Sequence, residues 1–317
     1  MKDNYNKQLY KETFDEISAS DALKEKVIYM NKQNNKSNKV QHRRIKRSVL
    51  ILVAAICVLV IGTVAVAAAN NFWIKSYEGK LKEQVELHDM ECWTVEGELY
   101  KGYMLKISDP SRVFLGTIDE FGESDGKSVA EMISAYDAVA GVNGGASYWN
   151  DTAKYTGLPV GAVISEGEIA FSDQVDSYVY DIVGFTKDNK LIIGSYTLEE
   201  ALNAGIRDAV SYGGTFCEEL VIDGSKAIKK NGGINPRTAI GQCEDGTVIL
   251  LVIDGRQEGS LGANTSELAE IMLEAGAVNA VSMAGGSYTS MYVESDSVNN
   301  SFRVEGALEC PDAWLVR

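Results

Sequence analysis

Histidine is nearly missing from this 317-residue chain, which has only His42 and His88. A Ser-His or Cys-His nucleophile pair, or a histidine-rich metal centre, therefore has little basis beyond residue 88 unless His88 folds back into that region. Cysteine is also sparse. Cys57 lies in a long apolar run, leaving Cys92, Cys217, Cys243 and Cys310, four thiols whose three possible pairings spacing cannot rank. No C-x-x-C occurs, so the common zinc and thioredoxin-like patterns are absent, and the sequence implies neither a metal nor a cofactor. Positive charge is the third scarcity. Up to Ala69 there are 12 lysines and arginines against 6 acids, a balance of +6, which leaves 18 against 39, or −21, for residues 70–317. So acidic a segment argues against nucleic acid as a partner, and any phosphate bound there must be met locally by a few arginines.

Charge disappears altogether from Val49 to Ala69, a run of 21 residues reading VLILVAAICVLVIGTVAVAAA. That length crosses a hydrocarbon core of ~30 Å as a helix. Lys39, Arg43, Arg44, Lys46 and Arg47 crowd its N-terminal side, and the positive-inside bias keeps that side cytoplasmic. The expected organisation is a partly disordered cytoplasmic tail (1–48), a single-pass signal anchor (49–69), a juxtamembrane linker with first strands (70–106) and an extracytoplasmic domain (107–317). Ala65-Val-Ala67 and Ala67-Ala-Ala69 also fit a signal-peptidase site, although 48 preceding residues are unusually many for a leader. Within the tail, Phe14, Ile17, Leu23 and Val27 have loosely helical spacing. Residues 10–30 are read either as a weak juxtamembrane helix or as a docking helix for a cytoplasmic protein.

The acidic domain contains an internal echo. Ala138-Val-Ala-Gly-Val-Asn-Gly-Gly145, Asp208-Ala-Val-Ser-Tyr-Gly-Gly214 and Asn279-Ala-Val-Ser-Met-Ala-Gly-Gly286 each read as an apolar strand ending in a glycine pair. Each follows a helical stripe: Val129, Met132, Ile133 and Tyr136; Leu198, Ala201 and Leu202; Leu268, Ile271, Met272 and Ala275. Hairpin signals lie between them at Ser165-Glu-Gly-Glu, Lys187-Asp-Asn-Lys, Asp223-Gly-Ser and Glu244-Asp-Gly-Thr. The expected fold is α+β or mixed α/β, with helices packed on one large sheet and the glycine loops at strand ends sharing a cleft.

Chemistry concentrates between Asn235 and Met291. Asn235-Pro-Arg-Thr, Asp254-Gly-Arg and Ala284-Gly-Gly-Ser-Tyr-Thr-Ser punctuate one strand-helix-strand stretch. Two arginines, a strand-end aspartate and a glycine-hydroxyl loop suit an anionic, sugar-like ligand held by guanidinium forks and backbone N–H groups. Together with Val142-Asn-Gly-Gly-Ala-Ser-Tyr148, this ordered series resembles the phosphodiester glycosidase domain family, in a bacterial membrane-anchored form, over roughly Gly141 to Val293. The resemblance implies hydrolysis of a sugar-1-phosphodiester of the N-acetylglucosamine type. On this sequence it implies a substrate site of Asn143, Gly144, Gly145, Arg237, Thr238, Arg256, Gly285, Gly286, Ser287 and Thr289. Asp254 is the candidate catalytic carboxylate, or else only half of an Asp-Gly turn. Glu267 is a second candidate, although Asn264 three positions earlier makes it equally the end of a capping box. Where the family pattern reads L-D-G-G-G-S-S-T-M, this chain has Met283-Ala-Gly-Gly-Ser-Tyr-Thr-Ser-Met291, with Ala284 in place of the aspartate and Ser287 in place of the third glycine. Two functions therefore stand: a phosphodiester glycosidase acting on cell-envelope glycans, or an inactive relative that binds a glycan or sugar phosphate.

Overall fold

The computed structural model describes residues 74–76, 90–149, 154–175, 177–212, 217–294 and 296–317, all within the unit Asn70–Arg317. The tail, the 49–69 run, the 10–30 segment and the Gly213-Gly214 pair lie outside the described residues. Among the described residues no helix is long and apolar enough to cross a membrane.

Local chemistry explains the short elements. Three helices, α1 (Val129–Ala135), α2 (Leu198–Asn203) and α3 (Thr265–Glu274), each begin at a reciprocal capping box, formed by Ser128 with Glu131, Thr197 with Glu200 and Asn264 with Glu267. Each box satisfies two amide donors that the first helical turn leaves free. The four turn motifs all close antiparallel hairpins: Ala162–Ser165 with Glu168–Ser172, Tyr180–Thr186 with Leu191–Tyr196, Glu219–Ile222 with Ser225–Lys226, and Arg237–Cys243 with Val248–Ile253. Positive φ at Glu166, Asn189, Asp223 and Gly246 turns the chain back in each.

The expectation of one large sheet under packed helices is corrected. Among the described residues the chain is mostly β, and the strands there form an eight-stranded sheet, two five-stranded sheets and one two-stranded ribbon, every named pair being antiparallel. Helix-strand units are present, but their strands join different sheets. Ala140–Asn143 lies in the five-stranded sheet completed by Met291–Val293, Asp312–Val316, Val113–Thr117 and Asp296–Ser297. Ile206–Ser211 lies in the second five-stranded sheet, and Ala277–Met283 in the eight-stranded one. With 7, 6 and 10 residues, the helices each cover a single outer face rather than a shared layer. Accordingly α1 packs on Ala313 and Leu315, α2 on Ile164 and Ile182, and α3 on Ala239 and Leu251.

The inner faces meet in a common core that includes Leu250, Val252 and Met283 from the eight-stranded sheet, Val183 and Phe185 from the second, and Val142 and Trp314 from the third. Phe185 and Trp314 stand edge to face at 5.5 Å. Each such buried ring stabilises the assembly by roughly 1.5–3 kcal/mol. This junction brings the ends of Ala140–Asn143, Arg237–Cys243 and Ala277–Met283 together, and a cleft opens there.

Candidate active site

The cleft has a cavity volume of about 310 Å³, and its walls include Ser147, Arg237, Arg256, Ala284 and the Gly285–Tyr288 turn. One side is the loop after Ala277–Met283. Gly286 donates its N–H to the Pro236 carbonyl at 2.9 Å, and a Cβ on Gly285 would stand 2.7 Å from that same oxygen. Only glycine permits this approach, which lays the 285–287 backbone along the cleft wall.

Asn143 joins the three strand ends from below. Its Nδ2 donates to the Ala284 carbonyl at 2.7 Å, and its Oδ1 accepts from Thr238 Oγ1 at 2.8 Å and from the Ser290 amide at 3.2 Å. Both Asn143 and Thr238 are fully buried, so they brace the floor rather than face the cavity. Gly144 and Gly145 continue that floor, and Thr289 lies beneath it with an Oγ1 that has no partner among the described residues.

Two guanidinium groups dominate the electrostatics. Arg237 is anchored by donating from Nε to the Ala263 carbonyl at 3.0 Å and from Nη2 to Gly233. Burial lowers its pKa, and the neighbouring Arg256 charge acts in the same direction against the opposing influence of Glu218. Arg256 lies 5.1 Å from the centre of the Phe302 ring, donates to Asn235 Oδ1 at 2.8 Å and holds a backbone φ of +56°. A non-glycine residue in the left-handed region carries local strain, which favours a site-directed reason for its orientation. No Asp or Glu is among the residues lining the cavity. Two like charges facing a cavity with no carboxylate on its wall favour a bound anion, since Glu218 acts on Arg237 from outside the lining.

A family model described as phosphodiester glycosidase matches residues 136–317. The chain belongs to the phosphodiester glycosidase family. Among curated relatives, it is 26% identical over 214 residues to mouse N-acetylglucosamine-1-phosphodiester alpha-N-acetylglucosaminidase, covering 60% of this chain and 39% of the mouse protein. It is 25% identical over 194 residues to the SPbeta prophage-derived uncharacterized protein YomE of Bacillus subtilis (strain 168), covering 58% of this chain and 29% of that protein. The match thus spans well under half the length of either relative. Among solved structures, the catalytic domain of the zebrafish N-acetylglucosamine-1-phosphodiester alpha-N-acetylglucosaminidase, auto-inhibited by its pro-peptide, aligns with a TM-score of 0.58 at 17% identity, covering 72% of this chain and 82% of that one. A hypothetical protein from Synechocystis aligns with a TM-score of 0.51 at 16% identity, covering 73% and 62%. At these identities the structures share the fold.

Against this family frame, the expected site residues divide into three groups. Arg237, Arg256, Gly285, Gly286 and Ser287 line the cleft. Asn143, Gly144, Gly145, Thr238 and Thr289 support it from behind. Asp254 and Glu267 are engaged elsewhere. Asp254 is buried, with Oδ1 accepting from Asn299 Nδ2 at 3.1 Å and from the Asn300 amide at 3.0 Å, and burial raises its pKa. Glu267 accepts the Asn264 N–H at 2.8 Å in the capping box that starts α3.

The structure adds residues that sequence reasoning passed over. Ser147 Oγ and Tyr288 OH lie 2.6 Å apart across the cleft wall, and burial raises the tyrosine pKa. Both sit inside quoted motifs, yet their contact joins segments 141 positions apart. Asp312, directly behind Gly144 and Gly145, belongs to no recognisable motif.

Proposed function

We propose that the cleft captures a sugar-1-phosphodiester by its phosphate and hydrolyses the bond between the anomeric carbon and the phosphate oxygen. The carrying observation is the pair Arg237 and Arg256 on the wall of a carboxylate-free cavity in a chain of net charge −15. Ordinary glycosidases need an acid because an alkoxide leaves poorly, whereas a phosphate oxygen leaves without one. In this reaction the carbon–oxygen bond at the sugar breaks and its electron pair stays on the phosphate. Water supplies the new oxygen at the anomeric carbon. The two guanidinium groups offset the developing charge, and the Gly285–Ser287 backbone orients it. The proton released by water has an acceptor in the departing phosphate monoester, whose second pKa is about 6. No protein carboxylate on the cavity wall is required for proton balance.

The second reading, a binding module of the same fold, is favoured by that same lack of a carboxylate at the cavity wall. The discriminating experiment incubates the full-length chain with the methyl phosphodiester of N-acetylglucosamine-1-phosphate, following sugar release and binding on one sample. Release of N-acetylglucosamine together with methyl phosphate is the expected result. Binding without release selects the module, and neither binding nor release ends the phosphodiester proposal.

The proposed setting is extracytoplasmic, with residues 49–69 as the anchor and envelope glycans or sugar-phosphate polymers as substrates. It is supported by the charge step at Arg47 and the 21-residue apolar run. Protease added to intact cells is expected to digest epitopes after Asn71 and to spare those before Arg47. Protection of the C-terminal epitopes, or a freely soluble product beginning near Asn70, rules the anchor out.

A further inference from the structure

Asp312 opens the strand Asp312–Val316 and is fully buried. Its Oδ1 accepts the Gly145 N–H at 2.6 Å, and its backbone carbonyl accepts the Gly144 N–H at 3.1 Å. One residue thus holds two consecutive amides of the turn that leads from Asn143 to Ser147. A Cβ on Gly144 would stand only 2.1 Å from Oδ1, so the turn is seated on the carboxyl group with no room between them. The other oxygen, Oδ2, is buried without a hydrogen-bond partner among the described residues. A purely structural aspartate so placed is costly, because an unpaired buried carboxylate oxygen loses its hydration without compensation.

We propose that Asp312 is a positioning residue for the cleft, holding the Gly144–Ser147 turn, and with it the Ser147 hydroxyl, where a bound phosphodiester meets them. The inference rests on the phosphodiester reading above. The ionisable groups that feel this carboxyl group are the Cys217 and Cys310 thiols, both raised by it, with Arg237 beyond Cys217 and Tyr288 beyond Cys310. Burial pushes the Asp312 carboxyl up to about 7. Near neutrality the turn therefore rests on a group that changes charge. Ionisation places a negative charge behind a wall meant for an anion, so capture weakens as pH rises through that value. Asp312→Asn keeps the Oδ1 acceptor and the side-chain shape but fixes the charge at zero.

The test uses the full-length chain labelled with ¹⁵N-glycine. The Gly144 and Gly145 amide resonances and the affinity for the methyl phosphodiester of N-acetylglucosamine-1-phosphate are followed between about pH 5 and 9. In the native chain the Gly145 amide is expected to shift with a midpoint near 7, and probe affinity to fall about tenfold over the same interval. Asp312→Asn is expected to abolish both transitions while keeping the low-pH affinity. In Asp312→Ala both glycine resonances should be displaced, with affinity reduced at every pH. A Gly145 amide indifferent to pH in the native chain overturns the proposal, as does an alanine variant with native resonances and native affinity. Glycine amides that titrate as expected in a chain that binds no probe support the seating of the turn by Asp312 and overturn the phosphodiester reading instead.

Discussion

Replacing Arg256 or Arg237 by alanine is expected to weaken binding of a sugar-1-phosphodiester by ~1.5–3 kcal/mol each, the range for a hydrogen bond to a charged group. The double variant should lose roughly 10²–10⁴-fold in affinity if the two guanidinium groups contact separate phosphate oxygens. The single variants should differ in stability. Arg237 also anchors the Gly233 and Ala263 carbonyls, so its loss removes two donors, leaves those carbonyls only their bonds from Asn235, and lowers the melting temperature. Arg256 has one side-chain hydrogen bond, to Asn235, and the Phe302 ring. Removing it also relieves repulsion of Arg237, which leaves stability near native. Arg256→Lys keeps the charge but loses the fork, so it should recover only part of the affinity. Calorimetric titration with thermal melting on the same samples checks all four variants. Native affinity in both folded alanine variants removes the phosphate clamp.

What was legible in the sequence follows the range of the interactions involved. The Asn264–Glu267 capping box and the Lys187-Asp-Asn-Lys turn act within a few residues, and helix α3 and the Tyr180–Tyr196 hairpin appear where those signals stand. Sheet membership acts over the whole chain. Asp312–Val316 pairs with both Val113–Thr117 and Ala140–Asn143, and nothing in the local run CPDAWLV announces either partner. The three helix-strand echoes were therefore visible, but their distribution over three antiparallel sheets was not. The same distinction explains the site. Arg237, Arg256 and the 285–287 turn stand out by motif. The Ser147–Tyr288 contact and the seat that Asp312 provides for Gly145 arise only after pairing. Asp254 stands out in the sequence as the strand-end aspartate of the Asp254-Gly-Arg motif, a position that gathers ligands in parallel sheets whose strands share a C-terminal edge. Here its strand runs antiparallel to both neighbours, Lys101–Ile107 and Arg237–Cys243, so that edge does not exist. Its carboxylate instead receives Asn299 and Asn300 in a buried loop contact.

Ala284→Asp is expected to raise turnover of a sugar-1-phosphodiester by ~10²–10⁴-fold, the contribution of a well-placed general base. Position 284 lies one residue past the Thr238–Met283 pair, beside Arg237, and lines the cleft while its carbonyl is fixed by Asn143. A carboxylate there is directed by a rigid floor, and proximity to Arg237 favours its ionised form. The same ion pair neutralises part of the phosphate clamp, so KM should rise together with kcat. Ala284→Asn reproduces the bulk without the charge and should not gain turnover. This separates base catalysis from a change in cavity shape. Asp254→Asn supplies the opposing arm. If the native chain works through Asp254, that variant loses native turnover and Ala284→Asp adds little. If the departing phosphate takes the proton of water, Asp254→Asn retains turnover and the new carboxylate accelerates it. A folded Ala284→Asp variant that binds the methyl phosphodiester but turns over no faster than Ala284→Asn shows that the missing step is not proton removal. The assignment of a base to this loop then has no support.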